Sequence, residues 1–467
     1  MNEDRYDIAI LGGGPGGYVA AIRAAQLGQR VGLIEQETLG GVCVNWGCIP
    51  TKALLRNAEV ARLLDRGREF GFSFDNLELD YAAAVDRSRK VSERLVKGLN
   101  TLMEENGVEV VRGRGKLAGE QTLEVALNEG GTRTLQADKI ILATGAHART
   151  IPGIEVDGEH VLTAREALER RELPESAVIV GAGPIGLEFA TVWSAYGTRV
   201  TVVEMLEQIL PNEDEEAAQE LSRYLRRQKI KTLTSTKVAG IEVGDAGVQV
   251  KVEGPKGQET LEAEIALVAI GVAPNSENIG LESVGVETEK GWVKVDDRMR
   301  TNVAGIYAIG DLNGRLPLAH VASFQGLIAV ESIAGEEEVR AFDANEMPRG
   351  TYTMPQVASL GLTEAEAREQ GLEVEVGKFP FLPNGKALAL GENHGFVKIV
   401  AERASGEIVG AVIVGPEATE LLPELVLAKT WELTPDEIAD AVHGHPTLNE
   451  AVGEAAHAVF GKPIHTV

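Results

Sequence analysis

Cysteine is nearly absent from this sequence of 467 residues, which contains only Cys43 and Cys48. A fold held by disulfide bridges uses many more cysteines, and in a reducing compartment the cellular thiol pool keeps ordinary pairs reduced. The composition therefore excludes a disulfide-stapled scaffold. Three roles remain for the one close pair of cysteines, namely redox chemistry, metal binding or ordinary packing.

Long apolar runs and basic residues are also scarce. No stretch approaches the roughly 18 to 20 consecutive apolar residues of a membrane helix, and "MNEDRYD" lacks the basic-then-apolar order of a signal peptide. Lysine and arginine number 45 against 71 aspartates and glutamates, a formal net charge of −26. Such a surface repels polyphosphate chains. We expect a cytoplasmic protein with no membrane and no nucleic acid as partner, whose excess acid favours solubility or steers a basic partner.

Glycine, by contrast, is abundant, with 53 copies, and apolar residues make up 44% of the chain. This balance is typical of a globular protein with many close backbone approaches. A chain of this length folds as about two to four domains. The composition favours an α/β fold rich in glycine turns.

Two segments repeat one order of strand, glycine turn, helix and strand: "YDIAILGGGPGGYVAAIRAAQLGQRVGLIEQE" and "SAVIVGAGPIGLEFATVWSAYGTRVTVVEM". Gly12 precedes the acid Glu35 by 23 positions, and Gly181 precedes Glu204 by the same interval. In such a unit the first glycine permits a tight turn, the second lets the backbone approach a pyrophosphate, and the third lets the helix pack on the strand. The acid binds ribose hydroxyls. The repeated spacing predicts two dinucleotide-binding units.

The second unit favours NAD over NADP, because no arginine or lysine follows Glu204 until Arg223 to bind a 2′-phosphate. A cysteine pair needs an electron relay to nicotinamide, which favours FAD in the first unit. The residues predicted to bind FAD in this way are Gly12, Gly14, Gly17 and Glu35, and those predicted to bind NAD are Gly181, Gly183, Ile185, Gly186 and Glu204.

The cysteine pair lies in "GGVCVNWGCIPTK". A zinc site would need about four ligands, and neither sulfur nor histidine clusters nearby. Packing of two small side chains is the plain alternative. A reversible disulfide fits best, because the loop is short enough to close and "IPTKALLRNAEVARLL" predicts a helix whose N-terminus would lower a thiol pKa.

The segment "GGVCVNWGCIPTKALL" closely resembles the redox segment of the flavin disulfide reductase family, and within it of the dihydrolipoamide dehydrogenases. The two glycine units, "LATG", "AIGD", "YTMPQVASLGLTEAEA" and "GHPTLNEAVGEAA" follow in the family's order, so the resemblance covers essentially the whole chain. It implies an enzyme that oxidises protein-bound dihydrolipoamide to lipoamide through a Cys43–Cys48 disulfide and FAD, reducing NAD to NADH. It also implies a homodimer that binds the lipoylated acyltransferase component of 2-oxo acid dehydrogenase complexes.

The fold class implied is α/β, with two Rossmann-like dinucleotide-binding domains plus a C-terminal α+β dimerisation domain. From about residue 346, "VKIVAERASGEIVGAVIVG" predicts two strands around a turn, and helical stretches are predicted at 417–431 and 435–443. The predicted domains are an FAD-binding domain at 1–150, an NAD-binding domain at 151–274, a central segment completing the FAD domain at 275–345, and an interface domain at 346–467.

The resemblance also implies roles for single residues. Cys43 matches the thiol that meets the dithiol substrate, and Cys48 matches the sulfur that contacts the flavin as a charge-transfer thiolate. Lys52 and Glu188 match a pair at the flavin edge. The other matches are Gly115, Ala143, Thr144, Gly145, Asp311 and Ala319 for FAD, and Val238 and Gly271 for NAD.

"HGHPTLNE" supplies the candidate base, His445, with Glu450 five residues later. Histidine titrates near pH 6.5, so it suits removal of a thiol proton, and a hydrogen-bonded carboxylate would orient its ring. His443 is the local rival, and a lone histidine is more often structural. The family pattern H-P-T-x-x-E aligns on His445, which by that resemblance serves the disulfide of the opposite subunit.

Some positions depart from the family, namely Val44, Trp46, Gly444 and the segment "AHVASFQG", and these could alter active-site access or flavin potential. A glutathione reductase-like enzyme is the nearest alternative, disfavoured because its NADPH would need a cation near Glu204. Mercuric reductase is disfavoured because "GKPIHTV" contains no cysteine. A redox-sensing or docking flavoprotein, with turnover secondary, is an alternative of another class.

Overall fold

A computed structural model describes residues 4–245, 247–336 and 338–466. The first three residues of the predicted FAD-binding segment, and Val467 at the end of the predicted interface segment, lie outside the described residues. The chain divides into two compact units. Unit 1 consists of Met1–Ala53, Ala83–Arg149 and Gly271–Asp343, and unit 2 of Leu54–Ala82, Thr150–Ile270 and Ala344–Val467.

The secondary structure alternates between helices and strands along most of the chain. The helices are α1 Pro15–Gln26, α2 Gly41–Trp46, α3 Cys48–Asp65, α4 Tyr81–Glu105, α5 Ala164–Glu169, α6 Pro184–Tyr196, α7 Glu215–Arg227, α8 Leu281–Val284, α9 Ala319–Ala334, α10 Glu364–Glu369, α11 Gly385–Leu390, α12 Ala418–Leu421, α13 Pro423–Thr430, α14 Pro435–Asp440 and α15 Glu450–Val459. Short 3-10 segments lie at Gly67–Phe70, Gly310–Asn313 and Ala344–Glu346.

The strands are β1 Arg5–Leu11, β2 Val31–Glu35, β3 Glu109–Gly119, β4 Thr122–Leu127, β5 Thr132–Leu142, β6 Ala146–Ala148, β7 Val161–Leu162, β8 Ser176–Val180, β9 Arg199–Val203, β10 Lys231–Leu233, β11 Lys237–Gly244, β12 Gly247–Gly254, β13 Gly257–Ala263, β14 Ile265–Val268, β15 Val272–Pro274, β16 Thr288–Glu289, β17 Trp292–Val293, β18 Ile306–Ala308, β19 Arg349–Thr351, β20 Gln356–Gly361, β21 Val374–Pro380, β22 Phe396–Glu402 and β23 Ile408–Gly415.

Unit 1 is built around a parallel sheet in which β1 is central. β1 pairs with β2 on one side and with β5 on the other, β3 extends the sheet beyond β2, and β18 extends it beyond β5. β4 pairs antiparallel with β3 and β5. β2 is buried along its whole length, as is typical of a parallel strand covered on both faces. The carboxyl ends of β1, β2 and β5 therefore meet at one edge, where open α/β sheets bind ligands.

Unit 2 contains a second parallel sheet, in the order β10, β9, β8, β14 and β7. It also contains an antiparallel sheet of β11, β12 and β13, and an antiparallel sheet in the order β19, β20, β23, β22 and β21. The last of these sheets packs against α15 through an apolar core. The predicted fold class, two dinucleotide-type α/β units followed by an α+β region, is confirmed.

In the C-terminal region one predicted helical stretch is divided in two, and the predicted end of another is wrong. The stretch 417–431 forms two helices, α12 and α13, because Pro423 has no backbone N–H and so begins a helix instead of continuing one. The stretch 435–443 ends at Asp440, since Ala441 is extended, with φ −70° and ψ 133°. The residues before the predicted base therefore form a loop. None of the helices in the described ranges is long and apolar enough to cross a membrane.

A buried lysine joins two parts of unit 2. The ammonium of Lys398, on β22, lies 3.0 Å from Asp214 Oδ2, 2.9 Å from Glu216 Oε2 and 2.9 Å from Glu364 Oε2. Burial opposes its charge, but hydrogen bonds to these three carboxylates raise the pKa of Lys398 above its ordinary value. The lysine is therefore a permanent cation, and it is the partner of the buried carboxylate of Asp214.

Candidate active site

The outer glycines of both dinucleotide turns are required by close backbone approaches. Gly12 and Gly181, the first glycines, have φ values of +112° and +105°, which L side chains rarely adopt. A Cβ at either position would overlap a carbonyl oxygen of the turn that faces it. A Cβ at Gly17 or Gly186, the third glycines, would overlap the carbonyl oxygen of the first. Both turns therefore exclude any larger residue at these positions.

The middle glycines face open space instead. A Cβ at Gly14 would have its nearest neighbour, the Cα of Gly41, 4.0 Å away, and a Cβ at Gly183 would meet nothing within 4 Å. That space lies over the first turn of a helix that begins with proline, α1 in unit 1 and α6 in unit 2. Backbone N–H groups at a helix N-terminus attract phosphate. Both turns thus fit the pyrophosphate of a dinucleotide.

The two predicted ribose-binding acids hold their own glycine turns. Glu35 accepts hydrogen bonds from the backbone N–H of Gly13 at 2.8 Å and from the N–H two residues after itself at 2.7 Å. Glu204 does the same, with the N–H of Ala182 at 2.8 Å and the N–H two residues after itself at 2.9 Å. Gly13 and Ala182, which directly follow the first glycine of each turn, are thus functional positions that sequence reasoning missed. Both lie at the same place in the two repeated segments, and that repetition was the available signal. Carboxylates have further lone pairs for a ribose hydroxyl.

The turn of "LATG" is fixed by a residue that sequence reasoning also missed. The hydroxyl of Thr144 donates to the carbonyl of Asn275 at 2.8 Å, and Asn275 Nδ2 donates to the carbonyl of Thr144 at 2.9 Å. The N–H of Asn275 donates to the carbonyl of Gly145 at 2.9 Å. Three hydrogen bonds therefore shape the predicted FAD-contacting turn, two of them across 131 positions of sequence.

The same turn has an equivalent in the second unit. The N–H of Ala143 donates to the carbonyl of Leu11, and the N–H of Ala269 donates to the carbonyl of Val180, each at 2.8 Å. "LVAIG" at the end of β14 therefore corresponds to "ILATG" at the end of β5. This correspondence was readable from the sequence once the two glycine units were aligned.

The remaining predicted nucleotide contacts are dispersed over several elements. Gly115 lies within β3, where a Cβ would meet an apolar side chain of β1. Val238 is a buried residue of β11, Ile185 is exposed on the first turn of α6, and Ala319 begins α9. Gly271 has φ +102° and accepts a hydrogen bond from the N–H of residue 149 at 3.0 Å. Their contacts with nucleotide stay predictions.

Asp311 is a partly exposed carboxylate without an external donor. Burial raises its pKa to about 6, and only its own backbone N–H opposes this. Within the described part of the chain no other group donates to it. Gln325, fully buried on α9, supports the turn by accepting from the N–H of Gly310 at 2.7 Å and from Asn313 Nδ2 at 2.8 Å. The carboxylate of Asp311, on a rigid turn and without a donor from another residue, fits the hydroxyl groups of FAD. Sequence reasoning missed Gln325, which supports this turn.

The two cysteines begin and end one short connection. Cys43 lies in α2, and Cys48 is the first residue of α3, so the predicted helix is confirmed. Both are half-buried thiols joined by a hydrogen bond. That hydrogen bond, burial and the charge of Cys48 raise the pKa of Cys43, which Lys52 opposes. Burial, with the neighbouring Cys43, also raises the pKa of Tyr18 on α1. The proton is therefore held on Cys43, while the N-terminus of α3 favours a thiolate at Cys48.

The connection between the cysteines is held from two sides. Asn45 is buried, and its Nδ2 donates to the carbonyl of Leu39 at 3.1 Å and to that of Gly41 at 3.0 Å. Arg89, on α4, donates from Nη2 to the carbonyl of Asn45 at 2.6 Å. Sequence reasoning missed both residues, because a distant arginine bound to a carbonyl leaves no local pattern. The redox connection is therefore anchored before any substrate arrives.

The structure separates the two candidate histidines. His445 Nδ1 lies 2.8 Å from Glu450 Oε1, while Glu450 Oε2 accepts from the N–H of Thr447 at 2.9 Å. Burial opposes ionisation, but the hydrogen bonds from Thr447 and His445 lower the pKa of Glu450. His443 Nε2 lies 3.0 Å from Glu424 Oε1. The side chain of His445 is 78% exposed and that of His443 only 12%. His445 is thus the histidine that can meet a substrate.

The predicted catalytic residues are divided between the two units. Cys43, Cys48 and Lys52 belong to unit 1, whereas His445 and Glu450 belong to unit 2. Unit 2 also contains Glu188, buried on α6, whose Oε1 accepts a hydrogen bond from the N–H of residue 352 at 3.0 Å. The predicted pairing of Lys52 with Glu188 at a flavin edge stays a prediction.

Two family models of known proteins match the sequence, and together they cover nearly the whole chain. The family model of pyridine nucleotide-disulphide oxidoreductases matches residues 6–326, and the model of the dimerisation domain of the same family matches residues 347–456. The chain belongs to this family. As a pyridine nucleotide-disulphide oxidoreductase it is an oxidoreductase that uses FAD and NAD(H).

Curated relatives align with this chain over nearly its whole length. It is 48% identical to dihydrolipoyl dehydrogenase of Mycobacterium tuberculosis over 462 residues, covering 98% of this chain and 99% of that protein. It is 44% identical to dihydrolipoyl dehydrogenase of Zymomonas mobilis over 463 residues, covering 99% of each. Among solved structures, LpdA of Mycobacterium tuberculosis superposes with a TM-score of 0.91 at 31% identity, covering 97% of this chain and 99% of that one. The flavoprotein disulfide reductase RclA of Escherichia coli gives 0.86 at 26% identity, covering 98% and 99%.

Proposed function

We propose that this pyridine nucleotide-disulphide oxidoreductase is a dihydrolipoyl dehydrogenase, which oxidises protein-bound dihydrolipoamide to lipoamide and reduces NAD to NADH. The observation that carries the proposal is the hydrogen-bonded pair Cys43 and Cys48 at the start of α3, in a chain with two dinucleotide turns. The full-length similarity to proteins named dihydrolipoyl dehydrogenase supports the choice of substrate.

The two sulfurs have different tasks in this proposal. Cys43 exchanges with the substrate dithiol, because the proton is held on that sulfur when the pair is reduced. Cys48 is the thiolate, since the N-terminus of α3 stabilises a negative charge there. FAD, when bound, supplies the acceptor that passes the two electrons of the reduced pair to NAD. We propose Gly12, Gly14, Gly17, Glu35 and the turn of Ala143 to Gly145 as its binding residues, with Asp311.

The thiol chemistry follows from disulfide exchange. His445 takes the proton of one substrate thiol, and the thiolate attacks Cys43 Sγ of the oxidised pair. The S–S bond breaks, and Cys48 leaves as a thiolate. The second substrate sulfur, after losing its proton to solvent, attacks the substrate sulfur of the mixed disulfide, which forms lipoamide. Cys43 leaves and takes the first proton back from His445, so that two electrons have passed to the pair.

His445 suits this proton transfer because Glu450 fixes its ring through Nδ1 and leaves Nε2 to accept. The match to a dimerisation domain at 347–456 supports a homodimer in which His445 of one chain serves the cysteine pair of the other. We further propose a cytoplasmic enzyme that docks on the lipoylated acyltransferase component of 2-oxo acid dehydrogenase complexes. The net charge of −26 supports a basic docking partner.

The direct test is a steady-state assay of the FAD-loaded protein with dihydrolipoamide and NAD. We expect Cys48→Ser to abolish turnover and the long-wavelength charge-transfer absorbance of the reduced protein while FAD stays bound. Retention of that absorbance would show that the sulfurs are assigned wrongly. A yellow protein that ignores dihydrolipoamide but reduces another disulfide with NADPH would overturn the proposed function.

The base is tested with a matched pair of variants. His445→Gln is expected to lower turnover by about 10² to 10⁴ with the dimer intact, the usual contribution of a general base. His443→Gln removes an imidazole two residues away whose partner is Glu424, and it should keep turnover within a few-fold. Equal losses in both variants would remove His445 from its special role.

A further inference from the structure

Helix α9 packs closely against α1, the helix whose N-terminus follows the first glycine turn. A Cβ at Gly326 would lie only 2.8 Å from the carbonyl oxygen of Gly16, so the two backbones approach too closely for any larger residue. Farther along the same helices, Arg23 Nη2 lies 3.1 Å from Glu331 Oε1. α9 is therefore fixed to the element that is predicted to bind the pyrophosphate of FAD.

One side chain of α9 fixes the 3-10 segment that contains Asp311. Gln325 Oε1 accepts from the backbone N–H of Gly310 at 2.7 Å and from Asn313 Nδ2 at 2.8 Å. Asn313 Nδ2 also donates to the carbonyl of Ala308, the last residue of β18, at 3.2 Å. A single buried oxygen thus binds both ends of the segment, and Asp311 lies between them.

The same segment also contacts α1. A Cβ at Gly16, in the first turn of α1, would lie 3.1 Å from Cδ1 of Ile309, the residue directly before the segment. Gly310 lies against α9, since a Cβ there would be 3.0 Å from the Cβ of Ala322. Two predicted FAD contacts, the N-terminus of α1 and the side chain of Asp311, therefore belong to one packed assembly.

The amide of Gln325 is not explained by apolar packing. The residue is fully buried, and its Nε2 has no hydrogen-bond partner among the residues that the structure describes. A buried donor without a partner destabilises a fold. The two hydrogen bonds that its oxygen accepts are therefore what an amide contributes at this place.

We propose that Gln325 is a positioning residue for FAD, whose amide oxygen fixes the 3-10 segment so that Asp311 meets the bound cofactor in one place. The inference rests on the proposed binding of FAD by Asp311, and it does not depend on which disulfide substrate the enzyme uses. Without this oxygen the N–H of Gly310 loses its acceptor, and the segment gains further conformations. Binding must then order the segment, which lowers the affinity for FAD.

The test is a double-mutant cycle between positions 325 and 311. Gln325→Met keeps the length of the side chain but has no acceptor oxygen, and Asp311→Ala removes the carboxylate that is positioned. The measurement is the rate at which FAD leaves the FAD-loaded protein after dilution, read from the fluorescence of the free flavin. We expect Gln325→Met alone to speed release about tenfold, because a hydrogen bond to a charged group contributes at least about that factor. In the Asp311→Ala background the same substitution should speed release by less than about twofold.

Gln228→Met is the matched control. Gln228, in unit 2, also has one buried amide atom, Oε1, without a partner in the described part of the chain, and its Nε2 donates to the carbonyl of Met354 at 2.7 Å. Its replacement removes a comparable hydrogen bond from the fold but none from the predicted FAD site, so release should change by less than about twofold. Urea unfolding of both variants measures the loss of stability. Equal acceleration of release by the two substitutions would mean that FAD release only follows stability, which would overturn the inference.

The cycle has two further results that would overturn the inference. Equal acceleration by Gln325→Met in both backgrounds would show that the amide supports the fold and not Asp311, and no acceleration would show that the segment is held without it. If Gln325→Met does not fold, Asn313→Ala takes its place, because it removes one of the two donors to Gln325. It should speed release severalfold with Asp311 present and not in its absence.

The inference and the proposed function fail separately. A protein that shows the coupling between positions 325 and 311 but ignores dihydrolipoamide would overturn the proposed function and keep this inference. Normal turnover of dihydrolipoamide, with independent effects of the two substitutions on FAD release, would overturn this inference alone.

Discussion

Asp311→Asn is expected to stabilise the FAD-free protein at neutral pH and to weaken FAD binding. In the structure the carboxylate has its own backbone N–H as donor, and burial raises its pKa from 3.8 to about 6. One pKa unit corresponds to about 1.4 kcal/mol. The ionised side chain therefore costs the folded FAD-free protein up to about 3 kcal/mol. Partial exposure of the side chain reduces this to about 1 to 3 kcal/mol.

The sign of the pH dependence follows from the direction of the shift. A carboxyl whose folded-state pKa is raised binds its proton more tightly when folded. The cost is complete above about pH 6, shrinks as the pH falls through this range, and is lost only below 3.8, where the carboxyl is protonated in the unfolded chain as well. Asparagine has no charge at any pH, so the gain from Asp311→Asn should be largest at pH 7.5 and should shrink toward pH 5.

The assay is urea unfolding of FAD-free protein at pH 7.5 and pH 5, followed by tryptophan fluorescence. In a parallel titration FAD affinity should fall by about 10- to 100-fold, because hydrogen bonds to a charged group contribute about 1.5 to 3 kcal/mol. Asp297→Asn is the control, since that aspartate is exposed and pairs with Arg315. A variant at 311 that is no more stable than wild type at pH 7.5, or whose gain is independent of pH, would refute the reasoning.

Three further substitutions test other parts of the structure. Lys398→Met should lower the free energy of unfolding by about 3 to 5 kcal/mol, because it leaves the buried carboxylate of Asp214 uncompensated, and urea unfolding of the FAD-loaded protein measures this; a change below about 1 kcal/mol would contradict it. Gly444→Ala should raise stability by about 0.4 to 1 kcal/mol, since a Cβ there meets only one methyl group, at 3.7 Å; a lower unfolding midpoint would contradict it. Arg89→Met should speed iodoacetamide labelling of the reduced cysteines, because the carbonyl of Asn45 between them loses its hydrogen-bond donor. Arg89→Lys, which keeps a donor, is the control, and an unchanged rate in Arg89→Met would contradict the prediction.

The fold class and the two nucleotide turns were predictable because their signals are local. The glycine spacing fixes a turn within six residues, and a run of apolar residues before it marks a buried strand. The start of α3 was predictable for the same reason. In each case the residues that determine the structure lie next to each other in sequence, so tertiary contacts need not be known.

The rest of the candidate site depends on contacts between distant residues. Arg89 binds a carbonyl 44 positions away, and Lys398 binds a carboxylate 184 positions away. No spacing or composition marks such partners. The choice between His443 and His445 was open to sequence reasoning only through a family pattern. The structure distinguishes them physically, because His443 binds Glu424 and is largely shielded from solvent, whereas His445 binds Glu450 and is exposed to solvent.

The hydrogen bonds of Glu35 and Glu204 to their glycine turns have a consequence for nucleotide exchange. Each turn is already preorganised by its own carboxylate, so a nucleotide binds without first ordering the loop, and the entropy lost on binding is small in both units. Preorganisation is equal in the two units and so cannot explain why one nucleotide would stay while the other departs. The difference in residence time must come from residues around each turn. In unit 1 the carboxylate of Asp311 is one such residue, because it can accept hydrogen bonds from a bound nucleotide.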